Sequence, residues 1–269
     1  MSKLKVPNYI GITDFTDRSQ VDDMLVALDI IDVNRPVYQL GVGVMMSYKT
    51  LHGLASRFDG VFPPKESVAE IFTTHPLAYN VLHYADYQGI DILDSLIQVV
   101  NFSGPNLRAI QLDMIWPNSD DIREFKKLYP HINVIIQINS HALNLVDCDP
   151  LKLVTKLQDY GDDTIDGVLL DMSMGRGLPM SWLKLLPYLA AINNSCPDIQ
   201  LIVAGGLGPQ SLHLVEPLIK CFVPKIGIDA QGKLRPSGSY LEPINWEMAK
   251  EYLILAVKMF QSNIFKYEI

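Results

Sequence analysis

The segment Gln200-Leu201-Ile202-Val203-Ala204-Gly205-Gly206-Leu207-Gly208-Pro209 decides the fold. A strand with one wet face alternates apolar and polar residues, whereas a strand covered on both faces is a continuous apolar run. Leu201 to Ala204 is such a run, closed by glycines and a proline. A helical pattern follows over residues 210–220. That succession is expected of a buried parallel strand and its crossover helix. The run Val168-Leu169-Leu170 and the helical stretch 181–192 repeat it one unit upstream.

The same alternation extends to both ends of the chain. Strands are expected over residues 9–13, 37–46, 78–84, 107–114, 133–138, 167–170, 200–204 and 225–228. Helices are expected over 19–31, 67–72, 91–99 and 119–128, then from Asp149-Pro150 onward, and over 181–192, 210–220 and 244–260. The first shows the stripe Val21, Met24, Leu25, Ala27 and Leu28. Ser67 is a candidate cap, Asp120 and Asp121 suit a helix N-terminus, and Pro150 suits a first turn. Residues 47–66, with Gly53, Gly60, Pro63 and Pro64, read as a long loop of the kind that often carries function. Eight strand–helix units in 269 residues predict an α/β fold, a single (β/α)8 TIM barrel filling 1–269 as one domain. Such barrels typically run to about 250 residues. The competing open doubly wound sheet lacks its G-x-G-x-x-G after the first strand.

Composition narrows the function classes. Hydrophobic residues make up 48%, and mean hydropathy is +0.14, enough for a sizeable core. Lys and Arg number 22 against 30 Asp and Glu, a net charge of −8. An acidic chain without basic runs is a poor nucleic-acid binder, so none is expected as a partner. No apolar run approaches the ~20 residues of a membrane span, and no membrane partner is expected. The start MSKLKVPNYIGIT has no apolar stretch after its lysines, so no secretory signal is expected. Cys148, Cys196 and Cys221 are too scattered for a disulfide framework or zinc site and point to a reducing, cytoplasmic compartment. Six histidines show no H-x-x-x-H spacing, and no metal site is expected.

In such barrels the site lies at the C-terminal ends of the strands, and the loops after strands 7 and 8 often hold a phosphate. Here those ends read VAGGLGPQSL (203–212) and GIDAQG (227–232). Glycines let backbone N–H groups approach an anion, and a helix N-terminus adds a favourable dipole. Gly205, Gly206, Leu207, Asp229, Ala230 and Gly232 are therefore the candidate phosphate-binding residues. The bland alternative is that the glycines only make tight turns. Asp171 ends an apolar strand, where a carboxylate is costly to bury without partners, and is the first catalytic candidate.

These two segments resemble phosphoribosylanthranilate isomerase. That family carries A-G-G-L-x-P-x-N-like and G-x-D-x-S-S-G-like segments at strands 7 and 8. Val168-Leu169-Leu170-Asp171 with Gly175-Arg176-Gly177 and Trp182 resembles its strand-6 pattern L-L-D followed by G-T-G-x-T-F-D-W. Gly11-Ile12-Thr13 resembles its C-G-I-T, Ile110-Gln111-Leu112 its V-Q-L-H-G, and Ser56-Arg57-Phe58 its S-P-R-Y. The resemblance implies an Amadori rearrangement, an aldose-to-ketose isomerisation of a phosphorylated ribosylamine that uses proton transfers and no external cofactor. It implies Asp171 as general acid, Gly177 beside the phosphate, and Arg57 and Gln111 on the substrate.

The departures matter as much. The family's base cysteine is replaced by Ile10, which cannot move a proton, and a general base contributes ~10²–10⁴-fold to rate. Asp14, Asp113, His83 and Asp86 are the candidate replacements, although Asp14 and Asp86 could simply cap turns. Ala230 and Gln231 replace the family's serines, Met172 and Met174 suggest a softer pocket, and Lys49 and Arg235 are further loop cations. Two other functions stay open: a different phosphosugar reaction (epimerase, aldolase or synthase), or a non-catalytic phosphate-ligand binder. The expected partner is a small phosphorylated substrate; the oligomeric state is not legible.

Overall fold

The computed structural model describes residues 6–31, 38–171 and 179–264. Eight parallel strands pair in sequence order, and the last closes on the first. They are β1 (Tyr9–Thr13), β2 (Gln39–Ser47), β3 (Ala78–Ala85), β4 (Ala109–Asp113), β5 (Asn133–Asn139), β6 (Gly167–Asp171), β7 (Gln200–Ala204) and β8 (Ile226–Ala230). The surrounding α-helices are α1 (Arg18–Ile31), α2 (Tyr48–Leu51), α3 (Val68–Ile71), α4 (Ile92–Ser103), α5 (Ser119–Leu128), α6 (Ser140–Asn144), α7 (Pro150–Gln158), α8 (Trp182–Ser195), α9 (Glu216–Phe222) and α10 (Trp246–Ile264). The expected (β/α)8 barrel is the fold.

Local chemistry sets the helix starts. The Asp149 carboxylate accepts from the backbone N–H groups of Leu151 and Lys152, with Pro150 in the first turn, as the sequence suggests. Asn118 caps α5 by accepting from the backbone N–H groups of Asp120 and Asp121. Ser67 makes no capping bond; a 3-10 turn over Lys65–Ser67 leads into α3 instead. The expected loop 47–66 contains the short α2, capped by Ser47. The continuous helix expected over 210–220 is broken into a 3-10 turn at Leu212–Leu214 and then α9. Pro217 explains the break, because a residue with no N–H fits only a helix's first turn. No α-helix therefore starts directly behind the glycines of β7, and the dipole expected there is absent.

Strand period 2 sorts side chains into two cores. One set faces the helices: Ile10, Ile12, Leu40, Val42, Val168, Leu170, Leu201 and Val203 are fully buried there. The other faces the barrel axis, where Val6, Tyr9, Tyr79, Val81, Ala109, Ile135, Leu169 and Ile202 form an apolar plug, with Tyr9 and Tyr79 stacked at 5.6 Å. Glycines on the inner face make room for these bulky residues. A Cβ on Gly41 would lie 2.6 Å from the Tyr9 ring and 2.9 Å from the Gly11 backbone. Above the plug the inner positions turn polar, and that layer is the floor of the site.

Gly41→Ala should cost about 1–3 kcal/mol, the usual range for overpacking. The check is a urea unfolding curve, where the midpoint falls without a change of slope.

Candidate active site

The polar layer opens into a cavity of about 530 Å³ at the C-terminal ends of the strands. Its wall follows the inward parity strand by strand: Thr13, Met45, His83, Gln111 with Asp113, Gln137 with Asn139, Asp171, Ala204, and Asp229. The loops add Arg57, Tyr87, Gly205, Gly206, Leu207, Ala230, Gly232, Lys233 and Tyr240. The structure thus gathers Asp171, Asp113, Gln111, Arg57 and the glycine-loop residues around one space. Gly177 lies outside the described residues, as do Met172 and Met174.

Asp229 is a strongly perturbed carboxyl of this wall. Its side chain lies inside the barrel, where one oxygen accepts from the Thr13 hydroxyl at 2.9 Å and the other is 3.8 Å from His83 Nε2. Burial pushes it up to about 7, against the Thr13 hydrogen bond and with help from the charges of Asp14 and Asp171. Two strand glycines leave it space. A Cβ on Gly11 would meet the Asp229 carboxyl at 2.7 Å, and one on Gly43 would meet Thr13 Oγ1 at 2.7 Å and His83 Nε2 at 2.9 Å. Burial pushes the His83 imidazole down to about 3, so it is neutral near pH 7.

Asp113 is held by the Tyr87 hydroxyl at 2.7 Å. Burial raises it, the Tyr87 bond opposes this, and the charge of Asp171 adds to it. Asp171 is therefore felt at both Asp113 and Asp229.

Two sequence candidates do other work. Asp14 does not line the cavity; its carboxylate pairs with Arg235 Nη2 at 2.5 Å and accepts from Gln231 Nε2 at 2.9 Å. Arg235 is itself buried and also donates to the Gln231 carbonyl, so it is a strut between the β1 and β8 loops rather than a free loop cation. Asp86 is buried and accepts from the backbone of Gln88 and Gly89, the turn-capping reading. The position before Gly11 also reads differently. Ile10 packs toward the helices, so that position faces away from the cavity whatever residue stands there.

The two glycine loops touch. A Cβ on Gly208 would lie 2.7 Å from the Lys233 carbonyl oxygen, so only glycine lets the β7 loop press against the β8 loop. Gly205 and Gly206 have φ of 106° and 68°. Ser211 Oγ donates to the Gly206 carbonyl at 2.7 Å, which fixes the peptide that follows. At the rim, the Arg57 guanidinium lies 4.8 Å from the Phe58 ring centre and 5.3 Å from that of Tyr240. Lys49 lines the cavity beside it.

Sequence reading missed Gln137, Asn139 and Tyr87, and placed Asp229 among phosphate contacts rather than inside the barrel. A signal existed for the first two: in Asn133-Val134-Ile135-Ile136-Gln137-Ile138-Asn139, the polar residues near the strand end are two apart, the period of one face. Among the described residues no group of three or more His, Cys, Asp or Glu could hold a metal ion, and no helix is long and apolar enough to cross a membrane.

No protein-family model and no curated protein matches the chain. Solved structures do. Active domain 2 of the thermostable chitinase from Pyrococcus furiosus, in catalytic-site mutants complexed with chito-oligosaccharides, superposes with a TM-score of 0.53 at 14% identity, over 96% of each chain. Ribulose-1,5-bisphosphate carboxylase/oxygenase from Pyrococcus horikoshii gives 0.58 at 11% identity, over 97% of this chain and 60% of that one. The chain has the fold of the (β/α)8-barrel enzymes. At these identities the likeness extends to the fold alone.

The perturbed Asp229 has a stability consequence. Its folded pKa of about 7 exceeds the ordinary 3.8, so the folded state holds the proton more tightly. The stability this contributes is complete below the unfolded value and is lost as pH rises through about 7. Asp229→Asn cannot ionise and can still accept from Thr13. Its melting temperature relative to the parent should therefore climb between pH 4 and 7 and level off above. A pH-independent difference would show that Asp229 is ionised throughout.

Proposed function

We propose that the protein is an isomerase of a small phosphorylated sugar derivative, of the aldose–ketose type implied by its resemblance to phosphoribosylanthranilate isomerase. The observation that carries this reading is the placement of the two abutting glycine loops beside three carboxyl groups of one cavity wall. The backbone N–H groups of Gly206, Leu207, Gly232 and Lys233 would hold the phosphate, with the Lys233 ammonium nearby. Arg57, braced on Phe58 and Tyr240, is available for a carboxylate at the other end of the substrate.

In the role implied by the resemblance, Asp171 enters the reaction protonated and serves as proton donor, and Asp229 serves as the acceptor that the Ile10 position cannot supply. Asp171 gives its proton to the ring oxygen as the bond from that oxygen to carbon 1 breaks, and the amine lone pair forms the iminium. Asp229 takes the proton from carbon 2, whose electron pair forms the enolamine. Asp171 then recovers a proton from the carbon 2 hydroxyl, and Asp229 returns its own to carbon 1. The product is the ketose, and both carboxyl groups are restored. A base works best when its pKa is near the operating pH, and the value of about 7 for Asp229 meets that condition. Neutral His83 adds no positive charge that would draw the proton off Asp229.

The outward face of Ile10 also favours a second reading, a related proton transfer such as epimerisation, which needs two carboxyl groups and nothing at the position before Gly11.

The direct assay is turnover of N-(5-phosphoribosyl)anthranilate. Asp171→Asn and Asp229→Asn should each lower kcat by at least about 10². In the parent, kcat/KM should rise with pH through about 7 as Asp229 ionises. No turnover, together with no rescue of a tryptophan-requiring bacterium lacking that isomerase, would sink the isomerase reading. Activity unchanged in Asp229→Asn would sink the assignment of the base.

A further inference from the structure

The cavity contains a buried polar atom that the protein leaves unsatisfied. Gln111 is 2% exposed, and its Oε1 has no hydrogen-bond partner. Its other end is fixed, because Nε2 donates to Gln137 Oε1 at 2.9 Å. That bond leaves the Gln137 NH2 as a donor at the cavity wall. Asn139, next inward on β5, is oriented independently: its Oδ1 accepts from the backbone N–H groups of His141 and Ala142, both at 3.0 Å, as the cap of α6. Its NH2 is thereby left as a second donor. All three amides line the cavity.

The wall formed by β4 and β5 therefore offers one unsatisfied acceptor beside two donors, held by bonds among amides and backbone. Buried polar groups are almost always paired in folded proteins, and an exception calls for an explanation. A ligand carbonyl cannot satisfy Gln111 Oε1, since it brings no proton. An ammonium can, but it would turn its protons toward two amide donors. A hydroxyl both donates and accepts. Two neighbouring hydroxyls satisfy the whole set, one donating to Gln111 Oε1 and both accepting from the amide NH2 groups.

We propose that Gln111, Gln137 and Asn139 form a subsite for the vicinal hydroxyls of a sugar phosphate, with Gln111 Oε1 receiving the hydroxyl on carbon 2. The proposal rests on the isomerase reading for the phosphate end and adds what the opposite wall selects. The substrate is a ribose-like chain with a free hydroxyl at carbon 2, and 2-deoxy sugars are rejected. In that reaction the same hydroxyl gives up its proton and becomes the carbonyl, so Gln111 Oε1 holds the aldose form only, and the Gln137 and Asn139 NH2 groups are the donors left for the ketose oxygen.

The experiment is calorimetric titration of the full-length protein with inorganic phosphate, ribose 5-phosphate and 2-deoxyribose 5-phosphate. Ribose 5-phosphate should bind about tenfold or more tightly than its 2-deoxy analogue, because a site built to hydrogen-bond a hydroxyl rejects the analogue lacking it. Gln111→Met should reduce that ratio to below about twofold while leaving inorganic phosphate binding unchanged. The ligand-free melting temperature of Gln111→Met should stay close to that of the parent, because removing the unsatisfied acceptor offsets the lost bond to Gln137 Oε1. If that variant does not fold, Gln137→Met carries the same expectation for the ratio. Equal binding of the two sugars by the parent, with phosphate binding intact, overturns the hydroxyl subsite and leaves the isomerase reading standing. Binding of none of the three ligands removes both.

Discussion

The narrow interior of a closed eight-stranded barrel constrains everything else in this molecule. Inward side chains from neighbouring strands compete for one small volume, so a large residue on one strand demands a small one beside it. Here the exchange is explicit. Tyr9 and Tyr79 fill the lower interior, and Gly41 and Gly11 yield to Tyr9. Higher up, the Asp229 carboxyl occupies the space beside Gly11, while Thr13 and His83 take the space beside Gly43. The same steric rule that closes the apolar plug therefore builds the polar floor above it. The floor is dry enough to hold a proton on Asp229 near neutral pH.

Much of the fold was legible because its cause is local. Continuous apolar runs such as Leu201 to Ala204 mark strands covered on both faces, and they recur at barrel spacing. The breaks were less legible. The helix expected over 210–220 fails at Pro217, and the cap expected at Ser67 is replaced by a 3-10 turn, because loop geometry decides these and the hydrophobic pattern does not. The site was legible as a set of strand ends, less so as a set of faces. Ile10 and Gly11 are adjacent in sequence, yet one faces the helices and the other faces Asp229. A motif read along the chain cannot separate them without the strand parity. The alternating glycines at 11, 41 and 43 were the available clue, since glycine within a strand often marks a close approach by something bulky.

The loops above the floor are coupled by buried polar contacts. Arg235 joins Asp14 after β1 to the Gln231 carbonyl after β8, and it also donates to the carbonyl of Glu242. Such a buried pair adds little net stability, because desolvation offsets the attraction, but losing one partner strands the other charge. Its consequence here is geometric. It holds the β8 loop in one place, and Gly208 lets the β7 loop lie against it. The two loops of the proposed phosphate site are thus held against each other without a helix dipole, which the broken segment after β7 does not provide.

This arrangement sets an electrostatic condition on any anionic ligand. Asp113, Asp171 and Asp229 already crowd the cavity wall, and the charge of Asp171 raises the other two. A phosphate entering that field would raise Asp113 and Asp229 further, so it must be matched by donors and cations. The abutting loops supply N–H dipoles, and Lys49, Arg57 and Lys233 stand around the same cavity. The match is local, so a net charge of −8 over the whole chain does not weigh against the proposed anion site.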